Sequence, residues 1–135
     1  MARLGWQHEF HERSWTELLT FHAQIWAKVP DGQYLVDIIE SVIASGRSHD
    51  LAVTSSMHDL VVVGRPVPAP PMDVLVVRAP GSLHRSSPGN VLIEYEAVSG
   101  RDTRIERPVG EAVALFWRLV SEKFGVESRP PNAKR

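Results

Sequence analysis

The spacing of apolar residues changes twice along the chain, and this order of patterns restricts the possible folds more than any other feature. Near the N-terminus, apolar side chains recur every three or four residues, which is typical of amphipathic helices. In the middle they follow a period of two, as in β-strands, and toward the C-terminus the helical spacing returns. Because the strands are grouped between helices, the pattern predicts an α+β fold and excludes a doubly wound nucleotide fold.

Two helices are predicted before the strands. Ser14 and Glu17 form a capping-box pattern at the start of an apolar stripe, which predicts a helix over residues 15–28. A Pro-Asp-Gly sequence then breaks this helix. The second stripe begins at Leu35 and ends at Gly46, a residue type that often follows helix C-termini. Two helices with so short a connection should pack antiparallel or lie together over a sheet.

A central, mainly antiparallel sheet of about five strands is predicted after the two helices. Its longest strand places Tyr95 and Ala97 on one face, and Ile105 is the only apolar residue of the next strand. All three can be buried together only if the turn at 99–102 has an odd number of loop residues. A further short strand is considered over 5–10. The main strands are predicted at 51–55, 60–64, 74–78, 91–98 and 103–107.

A C-terminal amphipathic helix is predicted to begin at Pro108, to end before Gly125 and to pack on the sheet. We expect one domain over 1–126 and a disordered tail over 127–135, which is rich in charged residues and proline. One buried cluster should hold Leu18, Ile25, Ile39, Val62, Val76, Ile93 and Phe116.

The composition excludes several classes of protein. There is no cysteine, so disulfides, zinc ribbons, iron–sulfur clusters and thiol nucleophiles are all excluded. The 15 basic and 16 acidic residues nearly cancel and form no basic stripe, which argues against a nucleic-acid partner. Charged and aromatic residues alternate at the N-terminus, so neither a signal peptide nor a membrane span is predicted. We expect a soluble cytoplasmic protein, and the excess of arginine over lysine indicates a bacterial source.

The loop over 79–90 is the leading candidate for a binding site. It is long for a connection between two strands of a compact domain, and such loops are often functional. Its hydroxyl, imidazole and guanidinium groups suit the binding of an anion or an acidic partner, whereas a solvated connection without function is the alternative. The predicted binding residues are Ser82, His84, Arg85, Ser86 and Ser87, together with Trp117 if the last helix exposes it.

Three histidines, His22, His58 and His84, are the candidates for acid–base catalysis. His22 interrupts an apolar stripe, where a histidine is more often a core residue bonded to a backbone carbonyl. His8 and His11 lack the His-Glu-x-x-His spacing, so the sequence predicts no metal site and no cofactor.

Two carboxylates, Glu94 and Glu96, share one face of the longest predicted strand. Paired carboxylates can divide the roles of acid and base when one of them is desolvated. On the outer face of a sheet we instead expect both to be solvated, with Arg104 as a partner across the hairpin. Asp59 is interpreted as a polar turn residue that precedes a strand.

Two functional hypotheses follow. The first is a small non-enzymatic binding or regulatory module, similar in kind to immunity and accessory proteins, with another protein or a second copy as its partner. The second is an enzyme that binds a small molecule in a pocket between the helices and the sheet and uses a histidine as acid or base. Neither hypothesis involves a membrane or a nucleic acid.

Overall fold

Three helices and a five-stranded antiparallel sheet follow one another in the predicted order, which confirms the α+β fold. The computed structural model describes residues 4–84 and 86–128. The helices are α1 (Trp15–Trp26), α2 (Gln33–Ser45) and α3 (Ala112–Phe124), and a 3-10 helix at Pro30–Gly32 joins the first two. The strands are β1 (Leu51–Ser56), β2 (Asp59–Gly64), β3 (Val74–Val77), β4 (Asn90–Glu96) and β5 (Thr103–Pro108).

The ends of the helices follow the predicted caps. The Glu17 backbone N–H donates to Ser14 Oγ at 3.3 Å, which satisfies one of the free donors at the start of α1. Gly46 ends α2 with a φ of 77°, a left-handed conformation that glycine adopts without the steric cost of a Cβ. None of the described helices is long and apolar enough to cross a membrane.

The start of the last helix differs from the prediction. Pro108 is the final residue of β5, and Val109–Glu111 form a 3-10 helix before α3 begins at Ala112. The proline therefore ends the sheet instead of opening the α-helix, because β5 continues to pair with β4 as far as the Asn90–Pro108 pair. Most of the predicted C-terminal tail, residues 129–135, lies outside the described residues.

The five strands form a simple meander in the order β1-β2-β3-β4-β5, and every neighbouring pair is antiparallel. Tyr95 pairs with Thr103 and Ile93 with Ile105. The residues between Tyr95 and Thr103, 96–102, are odd in number. Ile105 therefore shares a face with Ile93 and packs against the core. The predicted register of this hairpin is confirmed.

The helices cover one face of the sheet, and side chains from both layers form the main core. Ile25 lies at its margin and is only partly buried. The prediction for Val76 is wrong, because its buried side chain belongs to a second cluster on the opposite face. All four residues of β3 are buried, so alternation along this strand could not indicate which face belongs to the helices. The predicted core residues found in the main cluster are Leu18, Ile39, Val62, Ile93 and Phe116.

The N-terminal segment covers the part of the second face that is formed by β1–β3. Phe10 is buried there with β-strand valines, and Trp6 packs against the same cluster. The short strand considered over 5–10 is not formed; the segment instead makes isolated bridges from Trp6 to Met72 and from Arg13 to Val53. The second face is therefore covered over β1–β3, whereas on β4 and β5 it carries the charged residues Glu94, Glu96, Arg104 and Glu106.

Candidate functional site

Four connections meet at one end of the sheet, which we call the loop end. Tyr34 at the start of α2 donates its hydroxyl proton to the carbonyl oxygen of Arg78, where the long loop begins. The Val109 N–H donates to the Gly89 carbonyl at 2.9 Å, where that loop ends. The four connections are the turn at 57–58, the loop at 79–90, the segment at 27–32 and the 3-10 helix Val109–Glu111.

A cleft of about 890 Å³ opens between these connections. One wall is the start of α2 with the preceding 3-10 helix, and the other is the end of the long loop with residues 109–110. Asp31 and Asp37 are the charged side chains among the described residues that line it. The volume lies in the range of roughly 300–1,000 Å³ that is typical of ligand pockets.

A buried ion cluster supports the long loop from the second face of the sheet. Its centre is Arg78, whose side chain is only 11 % exposed. The guanidinium contacts Glu94 at 2.6 Å, Asp59 at 3.0 Å and Glu96 at 3.0 Å, each through a different nitrogen. Arg104 on β5 adds a second cation 3.6 Å from Glu94, which confirms the predicted cross-strand pair.

The prediction that Glu94 is solvated is wrong, because its side chain is 12 % exposed. Burial also raises the pKa of Glu96, although the Arg78 charge partly offsets this. Burial by itself would lower the pKa of Arg78, but its hydrogen bonds to Asp59 and Glu94 outweigh that effect, and the pKa is raised. Arg78 therefore stays charged and balances three neighbouring carboxylates only in part.

The carboxylates at this end hold the long loop in place. Asp59 accepts hydrogen bonds from the Ala79 N–H at 2.7 Å and from Ser82 Oγ at 3.1 Å. At the other end of the loop, Glu106 accepts from the Ser87 N–H and from the Asn90 side chain, both at 2.8 Å. The bonds from Asn90 and then Ser87 lower the pKa of Glu106, because they favour its charged form. Both ends of the loop are thus anchored by charge-assisted hydrogen bonds.

The predicted binding residues of the loop have different surroundings. Ser82 and Ser87 provide the anchors, and Ser86 donates to the Asn90 carbonyl at 2.9 Å. His84 is exposed, with its Nδ1 4.0 Å from Glu94 Oε1. The position of Arg85 lies outside the described residues. The hydroxyl groups of Ser82 and Ser86 are therefore engaged within the chain.

Trp117 does not belong to the loop end. It is partly buried on α3, packs against the main core and donates from Nε1 to Ser41 Oγ on α2 at 3.0 Å. Its neighbour Phe116 is fully buried. Trp117 therefore bridges two helices, and the structure does not bring it together with the other predicted binding residues.

His22 and His58 meet beside the loop end, outside the cleft. Their ring centres are 6.5 Å apart, and the Phe21 and Trp26 rings lie next to them. His22 is fully buried, and its Nδ1 accepts a hydrogen bond from Trp26 Nε1 at 3.0 Å instead of contacting a backbone carbonyl. Its Nε2 has no partner among the described residues. Burial, and then the His58 charge, lower the pKa of His22 to about 4.

We expect His22 to make the fold less stable in mild acid. In the unfolded chain the pKa of His22 is about 6.5. Below that pH the unfolded state binds a proton at this histidine, whereas the folded state does not. The loss begins near pH 6.5 and is complete near the folded pKa of about 4. The full shift corresponds to at most about 3–4 kcal/mol, and relaxation of the fold and water penetration around the charged imidazole reduce this to about 1–2 kcal/mol.

This expectation is checked by urea unfolding at several pH values between 4 and 7 for the wild-type protein and for His22→Leu. The variant should be less stable at pH 7, because it loses the bond to Trp26, but its stability should fall less steeply toward acid. Equal slopes for the two proteins would show that His22 titrates normally in the folded state.

The residues that support the site do not stand out in the sequence. Asp59, Arg78 and Glu106 were not among the predicted site residues, although each anchors the loop or the ion cluster. One pattern could have found two of them. Asp59 and Arg78 are charged residues at the ends of otherwise apolar, fully buried strands, and such positions usually require an ionic partner.

Comparison with known proteins gives no relative: no family model, no curated protein and no solved structure matches this chain. Within the described part of the chain, no three histidine, aspartate or glutamate side chains are grouped so that they could hold a metal ion. The geometry of the loop end is therefore the basis for a functional proposal.

Proposed function

We propose that this protein is a non-enzymatic binding module that holds another protein at its loop end. The distribution of exposed apolar side chains carries this proposal. Six large apolar side chains are exposed in the described chain. Four of them lie on the connections of the loop end: Val29, Met57, Leu83 and Val109. Phe21 lies beside the loop end, next to His58, and Leu4 lies elsewhere.

The concentration at one end is what matters, because scattered exposed apolar residues are ordinary on protein surfaces. Leu83 is 99 % exposed and Met57 is 90 % exposed, so both present nearly their whole side chain to a partner. Burying one such side chain contributes about 1.5–3 kcal/mol. Val109 lines the cleft, and Val29 and Leu83 belong to connections that contribute other residues to its walls.

The anchored loop favours binding for a second reason. A loop that must be ordered on binding loses conformational entropy, and this weakens the complex. Here Asp59 and Glu106 hold both ends of the loop before any partner arrives. Leu83 is therefore presented on a segment that is fixed on both sides.

The surroundings of the histidines support a binding role over acid–base catalysis. No histidine is found among the described residues that line the cleft. His22 is buried beneath Phe21 and His58, with its Nδ1 already bonded to Trp26. A regulatory or accessory role, in which the module binds and controls a partner protein, fits this arrangement.

The test compares the wild-type protein and two variants as immobilised baits in a lysate of the source organism, followed by titration of the purified partner. We expect Met57→Ser combined with Leu83→Ser to weaken binding at least tenfold, because burial of two large side chains is lost. The free energy of unfolding should change by less than about 0.5 kcal/mol, since both residues are exposed. Leu4→Ser is the matched control and should bind normally. A partner that binds the double variant as well as the wild type would overturn the proposal.

A further inference from the structure

The outer side of β5 is an open edge of the sheet. At the opposite edge, the Arg13 N–H donates to the Val53 carbonyl at 2.7 Å and the Arg13 side chain reaches Ser55, so the N-terminal segment partly covers β1. No strand or isolated bridge of the described chain lies against the outer side of β5. An open edge offers a row of backbone donors and acceptors to another strand.

Two hydrogen bonds show which residues of β5 offer those groups. In an antiparallel pair, alternate residues direct both backbone groups toward the same neighbour. The Arg78 N–H donates to Leu92, so Leu92 faces β3 and its neighbours face β5. The Val109 N–H donates to the Gly89 carbonyl, which agrees with this alternation, because Gly89 is three residues before Leu92 and therefore faces β5. Because Leu92 is opposite Glu106, the backbone groups of Arg104 and Glu106 point away from the sheet.

We propose that β5 pairs with β5 of a second copy of this chain, antiparallel and centred on Ile105. In this register Arg104 lies opposite Glu106 of the second copy, and by symmetry the same pair forms twice. These are also the residues with outward backbone groups, so each pair combines backbone hydrogen bonds with opposite charges. The two sheets then form one continuous ten-stranded sheet about a two-fold axis.

The charge pattern selects this register among its neighbours. A shift of two residues in one direction places Arg104 opposite Arg104, and a shift in the other places Glu106 opposite Glu106. Like charges directly opposite each other destabilise a strand pair. A shift of one residue places the outward backbone groups of one strand opposite the inward backbone groups of the other, so the hydrogen bonds between the strands cannot form. Arg104 is available for this contact, since 60 % of its side chain is exposed.

The size of β5 determines what the measurement should show. Six residues can form only a small contact, below the roughly 800 Å² per partner of a standard interface. The dimer should therefore depend on protein concentration and weaken in high salt, because charge pairs contribute to it. The proposed contact lies on the outer edge of β5 and not on the connections of the loop end, although Glu106 also accepts the hydrogen bonds that anchor the long loop.

Sedimentation equilibrium of charge-reversed variants tests the register. Arg104→Glu alone and Glu106→Arg alone each place like charges opposite each other twice, and we expect the dimer dissociation constant to rise about tenfold or more. The double variant Arg104→Glu with Glu106→Arg restores opposite charges and should dimerise like the wild type. Since it also loses every intrachain contact that either single variant loses, its recovery cannot come from the monomer. The control Arg118→Glu, on the exposed surface of α3, should have no effect.

A thiol introduced by Ile105→Cys provides a second measurement for a weak dimer, because the chain has no other cysteine. Residues opposite each other in a pair without backbone hydrogen bonds have Cα atoms about 4.5 Å apart, within the range for a disulfide. Oxidation should therefore link two chains, whereas Thr103→Cys faces a different residue and should link few. A monomer at all concentrations with equal cross-linking of the two variants would overturn the proposal, as would a double reversal that dimerises no better than the single ones.

Discussion

Replacing Arg78 by alanine is expected to lower the free energy of unfolding by about 3–5 kcal/mol, because it leaves buried carboxylates without their main counter-charge. Asp59 and Glu94 are both buried, and Glu96 is partly buried beside them. Arg104 would remain 3.6 Å from Glu94, with the exposed His84 side chain 4.0 Å from the same carboxylate. The loop bonds that Asp59 accepts would be weakened at the same time, since its orientation depends on Arg78.

The pH dependence separates this cause from a simple loss of packing. Burial raises the pKa of Glu96, and the Arg78 charge offsets part of this rise. Without Arg78 the pKa of Glu96 is raised further, so the folded state of the variant binds more protons as the pH falls. The difference in the free energy of unfolding between variant and wild type should therefore become smaller as the pH is lowered from 7 to 4.5. Urea unfolding of both proteins at the two pH values measures this difference.

Two further variants serve as controls for the Arg78 experiment. Arg118→Ala removes an exposed ion pair with Glu122 and should cost less than about 0.5 kcal/mol. Arg78→Lys keeps the charge but cannot contact three carboxylates in the planar geometry of a guanidinium, so an intermediate loss is expected. A loss for Arg78→Ala no greater than that for Arg118→Ala would show that the ion cluster contributes little to stability.

Most elements of the fold could be predicted from the sequence because their apolar residues follow a clear helical or strand period. The stripe that ends at Gly46 and the alternation around Tyr95 both gave the correct element and the correct face. The parity between Tyr95 and Ile105 even gave the register of a hairpin. These are local patterns, in which neighbouring residues carry the necessary information.

The errors arise where a residue is explained by contacts distant in sequence. Val76 lies in a strand that is buried on both faces, so the spacing of apolar residues does not indicate which face is turned toward the helices. Asp59 contacts Arg78, 19 positions away, only because β2 and β3 are neighbours in the sheet. Strand order was not predicted, and the burial of Glu94 depends on the same arrangement. The sequence therefore singled out the long loop as a candidate, but it did not indicate Asp59, Arg78 and Glu106, which hold that loop in place.

The last helix provides the second large effect, which concerns the choice between two adjacent aromatic residues. Phe116 is fully buried in the main core, whereas Trp117 is partly buried at the margin. Phe116→Ala is expected to cost about 3–5 kcal/mol, through lost transfer energy and the cavity that remains. Trp117→Ala should cost less, about 1–3 kcal/mol, because part of its surface already contacts solvent.

A third variant divides the contribution of Trp117. Trp117→Phe keeps an aromatic ring against the core but loses the hydrogen bond to Ser41, and we expect a cost of about 1 kcal/mol. The rings of Phe116 and Trp117 contact each other edge to face at 5.5 Å, so the double alanine variant should differ from the sum of the single ones. Urea unfolding monitored by circular dichroism gives all four values. If Trp117→Ala proved more destabilising than Phe116→Ala, α3 would pack on the sheet through the face that contains Trp117.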